Sequence, residues 1–340
     1  MRKAPGHDPG HGLSWRDYVD GLVEAHGSLA AVAERLARSR AYADDAASIE
    51  RALRRLRTRG QHAGGVWGDR ALAAFGLPDA AEARARWMGA YHSRFTDLPV
   101  PLCLDLVRLW DRPPVSEAPA ARTWLALARA SCALRAADED GAVPHLRRAR
   151  AAKGPPEARA EVALVEAFVA SRRAPAEPRE VARLLDEAER IVEREPMAAD
   201  DRACLRARLV DQRAYALNRA GDRAGAEALF AALPSEEVPP FALYRRASGL
   251  AYAAWKRGAK SEAAALARAA IEHAGDGGHL RLRAMALATL ARILGARSVE
   301  AAAAKARAEA IVAALDDEAL RLRFRFGPAR PPGTNARSTT

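Results

Sequence analysis

Apolar residues recur along most of the chain at three- and four-residue steps, not at every second position. Leu29, Val32, Ala33 and Leu36 share one helical face, and Ile49, Ala52, Leu53 and Leu56 share another. Val, Ile, Thr and Tyr build no alternating run, so the pattern predicts an all-α protein without a sheet. Ser14 with Asp17 reads as a capping box that opens a helix to about Glu24. Ser28 caps a second helix after the break at Gly27. Ser48 caps a third, to about Arg59, with Asp44 and Asp45 in the loop before it. Further helices are expected over 69–75, 80–95, 100–110, 117–137, 141–152, 156–171, 178–194, 200–220, 223–232, 238–257, 260–274, 279–294, 298–314 and 316–324. Prolines such as Pro155, Pro156, Pro178, Pro239 and Pro240 stand where these helices start or stop.

Residues 1–12 and 326–340, rich in Gly and Pro, read as disordered tails. Nine of the 19 aromatic residues lie within 1–114. This places a division near Pro113-Pro114, between a helical N-terminal unit (13–114) and an Ala-rich region (115–325). Trp87, Tyr91 and Phe95 fall at i, i+4 and i+8, the spacing of a core stripe.

The Ala-rich region repeats. Gly221, Gly258 and Gly295 are spaced by 37 residues each time. Seven positions before each glycine stands Ala214, Ala251 or Ala288, and six before stand Tyr215, Tyr252 and Thr289. Ala226 and Ala263 follow the first two glycines by five positions; Ala232, Ala269 and Ala306 follow all three by eleven. Small residues at such places let paired helices approach closely, and the glycine ends the first helix of each pair. Ala226 and Ala263 are therefore expected between helices, with Ala264 facing out. A generic Ala-rich bundle is the simpler alternative; a regular period is the mark of a solenoid.

AYALNRAGDRAGAEALF (214–230) and AYAAWKRGAKSEAAALA (251–267) resemble tetratricopeptide repeats in their small–aromatic, glycine-turn and alanine positions. The third unit departs from the pattern, with Glu300 in place of the expected alanine. Two earlier helix pairs, 117–152 and 156–194, agree in length and helicity only. The resemblance implies a right-handed α-solenoid whose first helices line a concave groove. The groove positions it implies are Arg208, Asp211, Tyr215, Asn218 and Arg219, then Arg245, Ser248, Tyr252, Trp255 and Lys256, then Met285, Thr289 and Arg292. Such a mixture of aromatic and cationic side chains suits a protein or acidic-peptide partner.

HGSLAAVAERLARSRAYADDAASIERALRRLRTRG (26–60) resembles a helix-turn-helix of bacterial regulators, with Ser48 to Arg59 as the reading helix. Arg51, Arg54, Arg55, Arg57 and Arg59 would meet duplex DNA, since guanidinium groups suit phosphates and guanine edges. The connection of about ten residues exceeds the three or four of that motif. A structural cap on the solenoid is the alternative.

Composition adds limits. The chain of 340 residues carries a formal charge of +11. It holds 84 Ala and 49 Arg but only 5 Lys, a bias that weakens the basic excess as a sign of nucleic acid. Residues 1–114 hold 17 basic and 14 acidic side chains, so that excess is not concentrated beside the candidate DNA-binding helix. Cys103, Cys132 and Cys204 are scattered, as small buried thiols of a reducing compartment are. No apolar stretch long enough to span a membrane occurs. Phosphate-loop, dinucleotide and zinc-protease motifs are missing, and the HSRF (92–95) and WDRPP (110–114) stretches have no catalytic partner in sequence. The expectation is a cytoplasmic regulatory protein, without cofactor, metal or catalytic residues, that binds a protein partner through its repeats and DNA through its first helices. A scaffold that does not touch DNA is the alternative.

Overall fold

The computed structural model describes residues 12–38, 44–172 and 177–324. The two predicted tails lie outside these residues, apart from Gly12. Among the described residues the secondary structure is helical: seventeen α-helices and two short 3-10 turns, with no strand. The chain divides into two compact units.

The first unit comprises residues 1–96, 101–133 and 139–205, so Pro113-Pro114 lies inside it. It begins with α1 (Trp15–His26), α2 (Leu29–Ala37), α3 (Ala46–Arg57), α4 (Gly65–Phe75) and α5 (Asp79–Gly89). The Ser14–Asp17 capping box forms as expected. The third helix starts earlier than predicted. Asp45, not Ser48, is its cap, and the Asp45 carboxylate accepts the Ser48 backbone N–H at 2.7 Å. A carboxylate at a helix N-terminus satisfies the free N–H and also meets the dipole, which a serine hydroxyl does not. The expected stripe of Ile49, Ala52, Leu53 and Leu56 is buried. Trp15 is fully buried, its indole N–H donating to the His62 carbonyl at 2.9 Å. A Cβ on Gly64 or Gly68 would run into that indole, so these glycines make its seat.

The helix expected over 80–95 is shorter. It stops at Gly89, and residues 94–97 form a 3-10 turn. Trp87 and Phe95 therefore meet not along one helix but edge to face, with ring centroids 5.3 Å apart. Next come α6 (Val100–Trp110), α7 (Pro119–Arg135), α8 (Glu139–Ala151), α9 (Pro156–Arg172) and α10 (Pro178–Arg194). α9 packs on both α8 and α10. It buries residues on most of its circumference, including Ala158, Ala160, Val162 and Leu164, as an interior helix must. Arg150 joins the three helices on their outer side. Its guanidinium reaches Glu166 at 2.9 Å and Glu187 at 2.8 Å.

The second unit comprises residues 206–340 with two short inserts from earlier in the chain, 97–100 and 134–138. It holds most of α11 (Ala199–Ala220), then α12 (Arg223–Ala231), α13 (Pro240–Arg257), α14 (Lys260–Asp276), α15 (Leu280–Leu294), α16 (Val299–Leu315) and α17 (Glu318–Phe324). Each helix from α12 to α16 packs on the next, and α13 also touches α15. Gly221, Gly258 and Gly295 have φ of +91°, +87° and +83°, a region that side chains with a Cβ avoid. Ala214, Ala251 and Ala288 are buried, as are Ala226 and Ala263. Ala264 is buried too and does not face outward. Ala232 and Ala306 are exposed and Ala269 half-buried, so the alanines eleven after each glycine are not contact positions. Ala232 already lies beyond the end of the short α12.

Candidate functional site

Three consecutive turns of α13 carry the most distinctive surface of the second unit. Its inner face is small: Ala247, Ala251 and Ala254 are buried against the helices beside it. Tyr252 follows directly after a buried alanine and so points away, 36% exposed. Trp255 stands one turn further, half-buried, with its ring against the alanine-rich core of α14 and α15. The two rings meet edge to face at 6.0 Å. The Lys256 ammonium lies 5.4 Å from the Tyr252 ring centre and 4.7 Å from that of Trp255. A cation over two ring faces is held by their quadrupoles. The patch offers flat apolar area beside a fixed positive charge.

The equivalent place in α11 is Tyr215, 53% exposed, with Arg219 exposed one turn on. Arg292 in α15 is exposed, and its guanidinium lies 5.9 Å from the ring of Phe324. Asn218 is half-buried, its amide donating to the Ala214 carbonyl of its own helix at 2.9 Å. Thr289 likewise donates to the Met285 carbonyl at 2.9 Å.

Two groove positions need correction. Arg208 and Arg245 are 6% and 7% exposed, and neither presents its charge to an open surface. Arg245 donates to Asp211 at 2.7 Å, and its guanidinium lies over the rings of Phe241 and Tyr244. A planar, weakly hydrated guanidinium tolerates such burial once a carboxylate and aromatic faces meet it. Asp211 is thus a structural partner.

The five arginines expected on DNA are all exposed, four of them on α3 away from its buried stripe; Arg59 lies beyond the helix, which ends at Arg57. Four have local partners. Arg51 donates to the Ser48 hydroxyl at 3.1 Å and Arg54 to Glu50 at 2.6 Å. Arg57 pairs with Asp20 of α1 at 2.6 Å, and Arg59 donates to the Ala63 carbonyl at 2.7 Å. Part of the positive field of this face is thereby neutralised.

Three buried acid clusters have no counterpart in the sequence reading. Asp111, from the WDRPP stretch, receives Arg129 at 2.5 Å and Arg148 at 3.2 Å. Asp201, in the first turn of α11, receives the Arg86 guanidinium and meets His92 Nε2 at 3.0 Å. Burial pushes the Asp201 carboxyl up, but the hydrogen bonds to His92 and Arg86 outweigh it and hold the group below its ordinary value. Asp317 meets Arg135 at 3.0 Å and Arg281 at 2.8 Å, with the same outcome: burial raises it, the guanidinium groups lower it further. The partners of Asp201 are 109 and 115 residues away and those of Asp317 are 182 and 36, so no spacing signals them. The WDRPP stretch holds Asp111 and the HSRF stretch holds His92, and Asp317 is a cap-type residue directly before Glu318, but none of these signals names a partner.

No group of three or more His, Cys, Asp or Glu side chains converges on a metal-sized site among the described residues. No helix among them is long and apolar enough to cross a membrane. No protein-family model matches the chain, and no curated protein or solved structure matches it either.

Proposed function

We propose that this chain is a non-catalytic, cytoplasmic binding protein. Its α11, α13 and α15 stack as the first helices of tetratricopeptide-like pairs in a right-handed solenoid, and they take up an extended protein segment bearing carboxylates. The observation that carries the reading is the exposed Tyr252 ring beside Trp255 with the Lys256 ammonium over both. Tyr215, in the same register 37 residues earlier and also exposed, supports it. Apolar side chains of the segment would lie on the rings and its carboxylates near Lys256 and Arg219. Contacts of this kind give affinity on a micromolar scale, about −8 kcal/mol. The test is selection of the full chain against a displayed library of acidic and neutral peptides of equal length. Acidic peptides should be enriched, and Tyr252→Ala with Lys256→Ala should remove the enrichment. Equal recovery of both peptide classes, or no effect of the double variant, sinks the reading.

A second reading gives the first unit a DNA-binding role through α3. What favours it is that Arg51, Arg54, Arg55 and Arg57 are exposed on one helix whose other side is buried, with Arg59 exposed just beyond its end. The two roles are compatible in one regulator. If only the first holds, the protein is a scaffold.

A further inference from the structure

The second unit contains a set of charges that the binding surface does not use. Four of them balance: the guanidinium groups of Arg135 and Arg281, and the carboxylates of Asp97 and Asp317. Arg135 is 3% exposed and the Asp317 side chain not at all. Arg135 ties several chain segments together. It donates to Asp317 at 3.0 Å, to the Leu98 carbonyl at 2.8 Å and to the Leu315 carbonyl at 3.3 Å. Arg281 donates its side chain to the same Asp317 oxygen at 2.8 Å, and its backbone N–H to Asp97 at 2.8 Å.

That last bond lies at a helix end. α15 starts at Leu280, and His279 at its cap position offers no side-chain acceptor to the first turn. Asp97, from a segment 184 residues earlier in the chain, supplies the acceptor in its place. The other oxygen of Asp97 lies 3.4 Å from His279 Nδ1, and the His279 ring meets Phe241 edge to face at 5.8 Å. Asp317 has a matching role at α17, accepting the Leu320 N–H at 2.9 Å. α17 has only seven residues, too few to hold a helix without outside support.

We infer that residues 97–100 and 134–138 act as a clasp on the C-terminal helices, Asp97 holding the first turn of α15 and Arg135 holding the turn before α17. Loosening either insert then frays the first turn of α15 or the turn that starts α17, while α13 and α14 stay folded. The alanine-lined core of α13 and α14 also takes in Leu287, Leu290 and Ile293 from the later turns of α15, so those turns stay packed, and none of the bonds from Asp97 or Arg135 reaches α13 or α14. The clasp makes the C-terminal end of the unit the part that responds to events at residues 97–100 and 134–138. Anything that draws either segment away removes a cap from one helix and a counter-charge from the other.

The test is hydrogen exchange, read by mass spectrometry on the full chain and on four variants. Asp97→Ala removes the remote cap. Exchange in the first turn of α15 should rise about 2- to 30-fold, the range for losing a cap, with α13 and α14 unchanged. Asp317→Asn keeps the acceptor for Leu320 but deletes the negative charge that Arg135 and Arg281 share. Exchange over residues 315–324 should rise at least as much. Arg135→Met should have a smaller effect, because Asp317 keeps Arg281. Arg135→Met combined with Asp317→Asn should exchange more slowly than Asp317→Asn alone, since a buried guanidinium that loses the Asp317 charge costs more than the loss of both groups. Uniform acceleration across α13 to α17, or a double variant faster than both single ones, overturns the clasp. Should Asp317→Asn fail to fold, the double variant decides: a folded chain supports the clasp and a second failure overturns it.

Discussion

The ring of Phe230 in α12 lies directly on the bare Cα of Gly249 in α13. Three of its ring atoms would overlap a Cβ built there. Phe230 is 5% exposed and part of the alanine core that joins α11, α12 and α13, so it has nowhere to swing. Glycine inside a helix costs about 1 kcal/mol against alanine, yet here that ordering should reverse. Gly249→Ala should destabilise the protein by roughly 1–3 kcal/mol through overpacking, read as a lower urea midpoint. A neutral or stabilising result would mean that Phe230 can leave its seat.

The alanines of the repeat separate into two kinds. Ala263 and Ala264 are both buried, so Ala263→Leu and Ala264→Leu should each cost roughly 1–3 kcal/mol. Ala306→Leu, at an exposed position, should stay within about 0.5 kcal/mol of the parent. Thermal unfolding of the three variants, side by side, checks the ordering.

Acid should weaken the protein through Asp201 and Asp317. Both carboxyls are held below the ordinary value of 3.8 in the folded chain. Their stabilisation is therefore complete above that value and is lost as pH falls through the lower folded one. Urea unfolding between about pH 5 and about pH 2 should show a steep decline. Asp201→Asn should be less stable at neutral pH and decline less steeply. An unchanged slope would remove Asp201 from the account.

Arginines of α3 decide the DNA reading. At about 50 mM salt, where phosphate contacts are strong, the full chain should bind duplex DNA and release it steeply as salt rises. Replacing Arg51, Arg54 and Arg55 with Ala should abolish binding without altering the far-ultraviolet spectrum. Absence of binding by the parent chain under those conditions leaves the scaffold reading standing.

Helices, most of their ends and the glycine stops of the second unit were legible in the sequence, because caps, prolines and helical spacing are local signals. Asp45 and Ser48 are both good cap residues, and the choice between them needs the backbone, which puts the cap at Asp45. Arg208 and Arg245 were placed on a surface because arginine is usually solvated. What buries Arg245 is Asp211 on another helix and two aromatic rings, none of which a periodic pattern reveals. Asp97 capping α15, and Arg135 meeting Asp317, depend on chain segments almost two hundred residues apart. Tyr252 stands out in the sequence because the 37-residue period pairs it with Tyr215, a local signal again, whereas the position of Trp255 holds Asn218 one period earlier and is singled out only by the repeat resemblance.

The alanine-lined contacts of the second unit bear on how the protein meets heat and cold. Ala251, Ala254, Ala263, Ala267 and Ala308 fill positions where leucine or phenylalanine often stand, so each closes its contact with one methyl group. Little hydrocarbon is withdrawn from water per residue, and it is hydrocarbon exposure that raises heat capacity on unfolding. Calorimetry should find that increment below the usual level of about 12–15 cal/mol/K per residue. The free energy of folding then changes gently with temperature, giving a broad, shallow stability curve in place of a narrow dome.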